Sequence, residues 1–154
     1  MGQNLQTVRV IIITRKSLVK GGIDLERSKD WMDAAKGDLE HAKHDLEHGF
    51  YNWACFSSQQ AAEKAVKAVF QRMGAQAWGH SIADLLEELS RHFEIPEELM
   101  DYALELDKAY IPTRYPDALP SGSPRNRYSR IEAERLVNYA EKIIRFCEDL
   151  LSRI

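Results

Sequence analysis

Residues Trp53–Phe70, WACFSSQQAAEKAVKAVF, decide the fold. Ala54, Ala61, Ala65 and Ala68 recur at spacings of seven, four and three, which places them on one face of a helix. Small side chains there let a neighbouring helix approach closely. Trp53, Phe56, Val66, Val69 and Phe70 add bulk beside that face, so apolar groups cover much of the circumference and predict a central helix. Gln59, Gln60, Glu63 and Lys64 interrupt this surface. A buried polar group without a partner costs about 1–3 kcal/mol. The four therefore stand either at a half-solvated rim or in a polar cluster at a binding surface.

Upstream, an amphipathic helix runs from Asp24 or Ser28 to His48. Trp31, Ala35, Leu39, Ala42 and Leu46 form its apolar stripe, and Gly49 caps its end. The turn before Trp53 is very short, so these two helices are antiparallel neighbours. His41, His44 and His48 share a face, but they alternate with Asp38, Lys43 and Asp45 as a solvated surface does. They lack the tighter spacing of helical zinc sites, the di-iron motif Glu-x-x-His is absent, and no metal is expected.

Downstream, the central helix ends near Met73-Gly74. Ser81-x-x-Asp84 opens a short third helix carrying Ile82, Leu85, Leu86 and Leu89. Pro96 opens a fourth helix at its first turn, with Leu99, Ala103, Leu106 and Tyr110 on one face. Ser129-x-x-Glu132 is a capping box for the last helix, whose stripe is Leu136, Ala140, Ile143, Ile144, Cys147 and Leu151. The prediction is an all-α protein, an antiparallel up-and-down helical bundle of four long helices plus one short helix.

The chain has 154 residues, enough for one domain with a real core, assigned here to residues 24–154. Residues 1–23 form a separate arm. Within it Gln6–Thr14 is β-branched and strand-like but has no evident partner strand, so the arm is expected to be poorly ordered or partner-dependent. Net charge is −3, which leaves nucleic-acid or anionic-membrane binding to local patches. Cys55 and Cys147 fall at apolar helical positions, as free thiols of a reducing cytoplasm do. No apolar run approaches the roughly 20 residues of a membrane span, and none resembles a secretory leader. A cytoplasmic location with no membrane contact is expected.

Ile111–Tyr128, IPTRYPDALPSGSPRNRY, contains four prolines and excludes a regular element. Arg114, Arg125 and Arg127, with Arg130 just beyond, face a single acid, Asp117, and Tyr110, Tyr115 and Tyr128 are interleaved. Arginine grips phosphate through two N–H groups, and tyrosine stacks on a base or a guanidinium. The combination suits a nucleotide or an RNA backbone; a soluble surface loop is the alternative.

Several blocks carry a family resemblance. They are Asp38-Leu39-x-x-Ala42, Tyr51–Phe56, Gln59–Ala65 with Lys67, His80-Ser81, Leu85-Leu86, Thr113–Ala118, Tyr128 and Ala133. In this order and spacing, over Glu26–Ile154, the chain resembles the HEPN family, the nucleotide-binding domain of higher eukaryotes and prokaryotes. The resemblance implies a compact helical bundle, commonly a homodimer, often paired with a small nucleotidyltransferase. A large branch consists of RNases, many of them toxins, which carry an Arg, then four to six residues, then a His near the start of the last helix. Here His92 is the last histidine, so that motif is absent.

The first functional expectation is thus a non-catalytic module that binds nucleotide or RNA, with no catalytic residues and no cofactor. It would pair with a nucleotidyltransferase in a toxin–antitoxin-like complex. Arg114 would meet phosphate, Tyr115 would stack or hold the loop, and Asp117 would orient Arg114 or accept from a ligand donor. Lys64, Lys67, Arg125 and Arg127 would add charge. A metal-independent RNase using Arg114, Arg125 or Arg127 with Tyr128 or His80 is one alternative. A purely structural docking bundle, with Asp117 satisfying Arg114 and Tyr115 packed inward, is the other.

Overall fold

The computed structural model describes the backbone of Val10–Ile12, Val19–Lys20 and Ile23–Asp24, and the whole of residues 26–154. The short strands come first: β1 (Val10–Ile12), β2 (Val19–Lys20) and β3 (Ile23–Asp24). The helices α1 (Ser28–Glu47) and α2 (Tyr51–Arg72) follow, then β4 (Ala75–Ala77), α3 (Ile82–Leu89), α4 (Glu97–Asp107) and α5 (Arg130–Arg153).

α2 lies between α1 and α5 and supplies the centre of the core. Its Ala54, Ala61, Ala65 and Ala68 are fully buried, as are Ala35 and Ala42 of α1 and Ala140 and Ile143 of α5. Polar contacts fix the directions. Lys36 pairs with Glu148 at 3.3 Å and Lys43 with Glu141 at 3.2 Å, so residue numbers rise along α1 as they fall along α5. Lys64–Asp38 at 2.7 Å and Ser57–His41 at 3.5 Å set α2 antiparallel to α1 in the same way. Arg135–Glu105 at 3.0 Å and the stacked rings of Tyr102 and Tyr139 do so for α4 and α5. The result is the expected up-and-down bundle.

Local chemistry sets the ends. Gly49, at φ +82°, turns the chain from α1 into α2 in a conformation that side chains resist. Ser81 Oγ accepts from Asp84 N–H at 3.1 Å, and Ser129 Oγ from Glu132 N–H at 3.1 Å, as both capping boxes require. Three features differ from the sequence reading. Pro96 is the residue before α4 rather than within its first turn. α4 spans only 11 residues, and Tyr110 lies beyond it. Its last residue, Asp107, turns its carboxylate to α3, where it accepts from Ser81 Oγ, Ile82 N–H and Ala83 N–H at 3.0, 2.8 and 3.0 Å.

The third difference concerns the arm. β1 does have a partner: it pairs antiparallel with β4, Val10 opposite Ala77 and Ile12 opposite Ala75. Alanine and glutamine give β4 little strand propensity, so composition concealed it. β2 and β3 pair with each other. The expectation that the arm is poorly ordered otherwise falls outside the described residues. Ile111–Tyr128 is irregular as read, apart from two three-residue 3-10 turns at Pro116–Ala118 and Pro124–Asn126, each opened by its proline. Among the described residues, no helix is long and apolar enough to cross a membrane.

Candidate functional site

The base of the long loop is fastened to α2. Thr113, fully buried, donates from Oγ1 to the Ala109 carbonyl at 2.6 Å. Buried Asn52 donates from Nδ2 to the Thr113 carbonyl at 3.0 Å. These two bonds fix the backbone on which the next side chain, Arg114, is carried.

Arg114 sits among aromatic rings. Its Cζ lies 4.2 Å from the ring centre of Phe56, 4.9 Å from Tyr110 and 5.3 Å from Tyr115. Nε and Nη2 both donate to the Tyr110 carbonyl, at 3.0 and 2.7 Å. A guanidinium has five N–H groups, so this anchor leaves donors for a ligand. Tyr115 is 49% exposed, open to a stacking partner rather than packed inward. Asp117 does not orient Arg114; it is exposed on the 3-10 turn that follows, and a backbone carbonyl takes its place as acceptor.

The other side of Tyr110 leads to the polar residues of α2. The His80 ring stacks on Tyr110 with centroids 4.6 Å apart. His80 Nδ1 lies 2.8 Å from Glu63 Oε1, and Glu63 is buried. When Glu63 is ionised it can only accept, so the bond it makes is from His80 Nδ1–H. Gln59, fully buried, donates to the His80 carbonyl at 2.8 Å, and Gln60 donates to Gln59 at 2.7 Å. Lys67 Nζ approaches Glu63 at 3.9 Å. Burial raises the Glu63 carboxyl above its usual range, opposed by Lys67 and by the bond from His80. Burial lowers the Lys67 ammonium, opposed by Glu63. Gln59 and Glu63 are therefore not rim residues. They are buried polar residues that hold the exposed His80 from below.

The predicted site residues thus separate. Arg114 and Tyr115 share the aromatic cage. Lys67 joins it only through Glu63, His80 and Tyr110. Lys64 closes an ion pair with Asp38 at 2.7 Å between α1 and α2. Arg127 donates from Nε to the Ser121 carbonyl at 2.8 Å and from Nη2 to Ser121 Oγ. It lies across Gly122, at φ +74°, where an added Cβ would come within 2.7 Å of Arg127 Nε. Arg125 is exposed and has no ion pair among the described residues. Sequence reasoning gave Phe56 no part in a site, named Glu63 only in the polar-cluster alternative and His80 only in the RNase alternative, and did not connect Tyr110 to either. The clue available was the density of polar residues on an otherwise apolar helix.

No cluster of three metal-ligating side chains occurs among the described residues, and the three histidines on and just after α1 do not converge. His44 and His48 stack on each other at 4.2 Å, and His41 pairs with Asp45 at 3.3 Å. Cys55 and Cys147 are buried free thiols, both pushed up by burial, Cys55 to about 12.

Comparison with known proteins places this arrangement. A model of the HEPN domain matches residues 28–150. The chain belongs to the HEPN domain family. It is similar to a HEPN domain protein (TM0613) of Thermotoga maritima: 86% identity, TM-score 0.68, covering 81% of this chain and 99% of that one. TT1696 of Thermus thermophilus is 48% identical at a TM-score of 0.79, covering 80% and 98%. ST0689, an archaeal HEPN homologue, is 38% identical at a TM-score of 0.70, covering 81% and 98%. A curated protein of Methanocaldococcus jannaschii, "Putative toxin MJ1304", is 26% identical over 84% of this chain and 91% of its own length.

Proposed function

We propose that this HEPN chain is a binding module that holds the phosphate of a nucleotide or RNA at Arg114, within a toxin–antitoxin-like pair. The observation that carries the reading is the Arg114 cage. A guanidinium anchored to the Tyr110 carbonyl by two N–H groups, beside the exposed ring of Tyr115, offers charge and a stacking surface together. The toxin name of the archaeal relative supports the second half of the reading. The partner class is a small nucleotidyltransferase. A second copy of the chain completes the assembly, supported by exposed Phe50, Trp53, Ile111 and Tyr115 on and near the loop side of α2.

The test is fluorescence anisotropy with short labelled RNA and with labelled ATP. Arg114→Ala is expected to weaken binding at least tenfold, and Arg114→Lys to recover only part of it, because a point charge does not reproduce the fork. Equal affinity in Arg114→Ala would remove Arg114 from the site.

The Glu63–His80 contact favours a second reading, metal-independent RNA cleavage. A buried carboxylate fixing an exposed imidazole at 2.8 Å is a general acid–base arrangement, and His80 and Arg114 both touch Tyr110. Cleavage of labelled RNA in EDTA that is lost in His80→Ala would establish it. Intact RNA over a panel of sequences would discard it.

A further inference from the structure

A second concave site lies away from the Arg114 cage, where α1, α2 and β4 meet. Its volume is about 210 Å³, and its walls are Trp31, Lys67, Gln71, Gln76, Ala77 and Trp78. Two indoles face into it, and Trp78 is 55% exposed although it is a tryptophan. Lys67 Nζ stands 5.9 Å from the Trp31 ring centre, and its side chain is only 11% exposed. Pairing with β1 holds β4 extended, which sets Gln76 and Ala77 at the edge of the cavity.

Each wall restricts the ligand. Two indoles suit a flat, polarisable ring, because aromatic faces stack with offset. Two carboxamides, Gln71 and Gln76, supply donors and acceptors together, so the ring edge they meet carries both. The Lys67 ammonium, 3.9 Å from Glu63, has only donors to offer, which favours rings bearing carbonyl oxygens. The volume is below the roughly 300 Å³ at which pockets for drug-sized ligands begin, so it admits one ring system and leaves any sugar or phosphate outside. We infer that the cavity walled by Trp31, Trp78, Lys67, Gln71 and Gln76 is a nucleobase site that binds a nucleoside independently of Arg114.

This site does not depend on the phosphate reading, and the test separates them. Adenosine, guanosine, cytidine and uridine, which carry no phosphate, are titrated into the full chain by calorimetry. At least one is expected to bind saturably. Trp78→Ala should weaken it about tenfold, since base–aromatic stacking accounts for that order of loss. Gln76→Ala, an exposed change on β4, should also weaken it, and Arg114→Ala should leave it unchanged. Circular dichroism melts of each variant confirm that the bundle is retained. Absence of binding by all four nucleosides overturns the inference. So does equal affinity in Trp78→Ala and Gln76→Ala, or a loss in Arg114→Ala as large as that in Trp78→Ala. Loss of nucleotide or RNA binding in Arg114→Ala bears only on the phosphate site.

Discussion

At the scale of single residues, the chain spends its buried polar groups on positioning. Asn52 and Thr113 hold the loop backbone, and Gln59 and Glu63 hold His80. Little of this was legible in the sequence. Arg114 has Asp117 three positions away, which invites a local ion pair, yet its acceptor is the Tyr110 carbonyl. Every residue has such a carbonyl, so sequence carries no mark of which one is used. Glu63 and His80 are 17 positions apart and meet only because β4 returns the chain over α2. The thiols give a pH prediction. Cys55 rises from 9.0 to about 12 in the folded chain, so the unfolded chain ionises first. A raised folded value means full stability below pH 9 and loss as pH climbs from there towards 12. Cys55 alone should cost on the order of 1 kcal/mol at pH 10. Thermal melts from pH 8 to 11 should fall more steeply for the native chain than for Cys55→Ala, and parallel curves would refute this.

At the scale of elements, helix ends and helix faces were the most readable features. The alanine face of the central stretch is buried in full, and both serine caps are made where they were expected. Period and capping are local properties, so local sequence contains them. The second acceptor at the start of α3 was not readable, because Asp107 reaches it from a different helix. Burial pushes the Asp107 carboxyl up, although the hydrogen bonds from Ala83, Ile82 and Ser81 oppose it. Asp107→Ala should destabilise the chain by about 2–3 kcal/mol, as loss of an acceptor with three donors implies, and amide exchange should speed up at Ile82 and Ala83 first. Ser129→Ala should cost about 1 kcal/mol through loss of one cap, without disturbing α3. Equal exchange at the start of α3 in Asp107→Ala would show that the carboxylate does not hold that helix.

At the scale of the whole molecule, the helices bring two recognition surfaces to different places. The Arg114 cage lies where the long loop crosses α2, and the Trp31–Trp78 cavity lies where β4 meets α1 and α2. Glu63 touches both networks through His80 and Lys67. The fold class and helix order follow from the hydrophobic pattern, whereas the grouping of the site follows from the packing of α2 against the loop. The exposed aromatic residues near that loop also suit a partner surface. Light scattering coupled to size exclusion should give a dimer mass, and Trp53→Glu should shift it to that of a monomer. A monomer mass for the native chain would remove the second copy from the proposal.

The most direct test of the central claim is a thermal-shift titration with ATP, GTP, their monophosphates and a short RNA, on the native chain and on Arg114→Ala. A ligand at about 100 times its dissociation constant adds roughly 2.7 kcal/mol, or on the order of 5–10 °C for a domain of this size. A saturable rise of that order is expected with a phosphate-bearing ligand in the native chain, and little or none in a folded Arg114→Ala. An equal rise in both proteins, or no rise with any of these ligands, would contradict it.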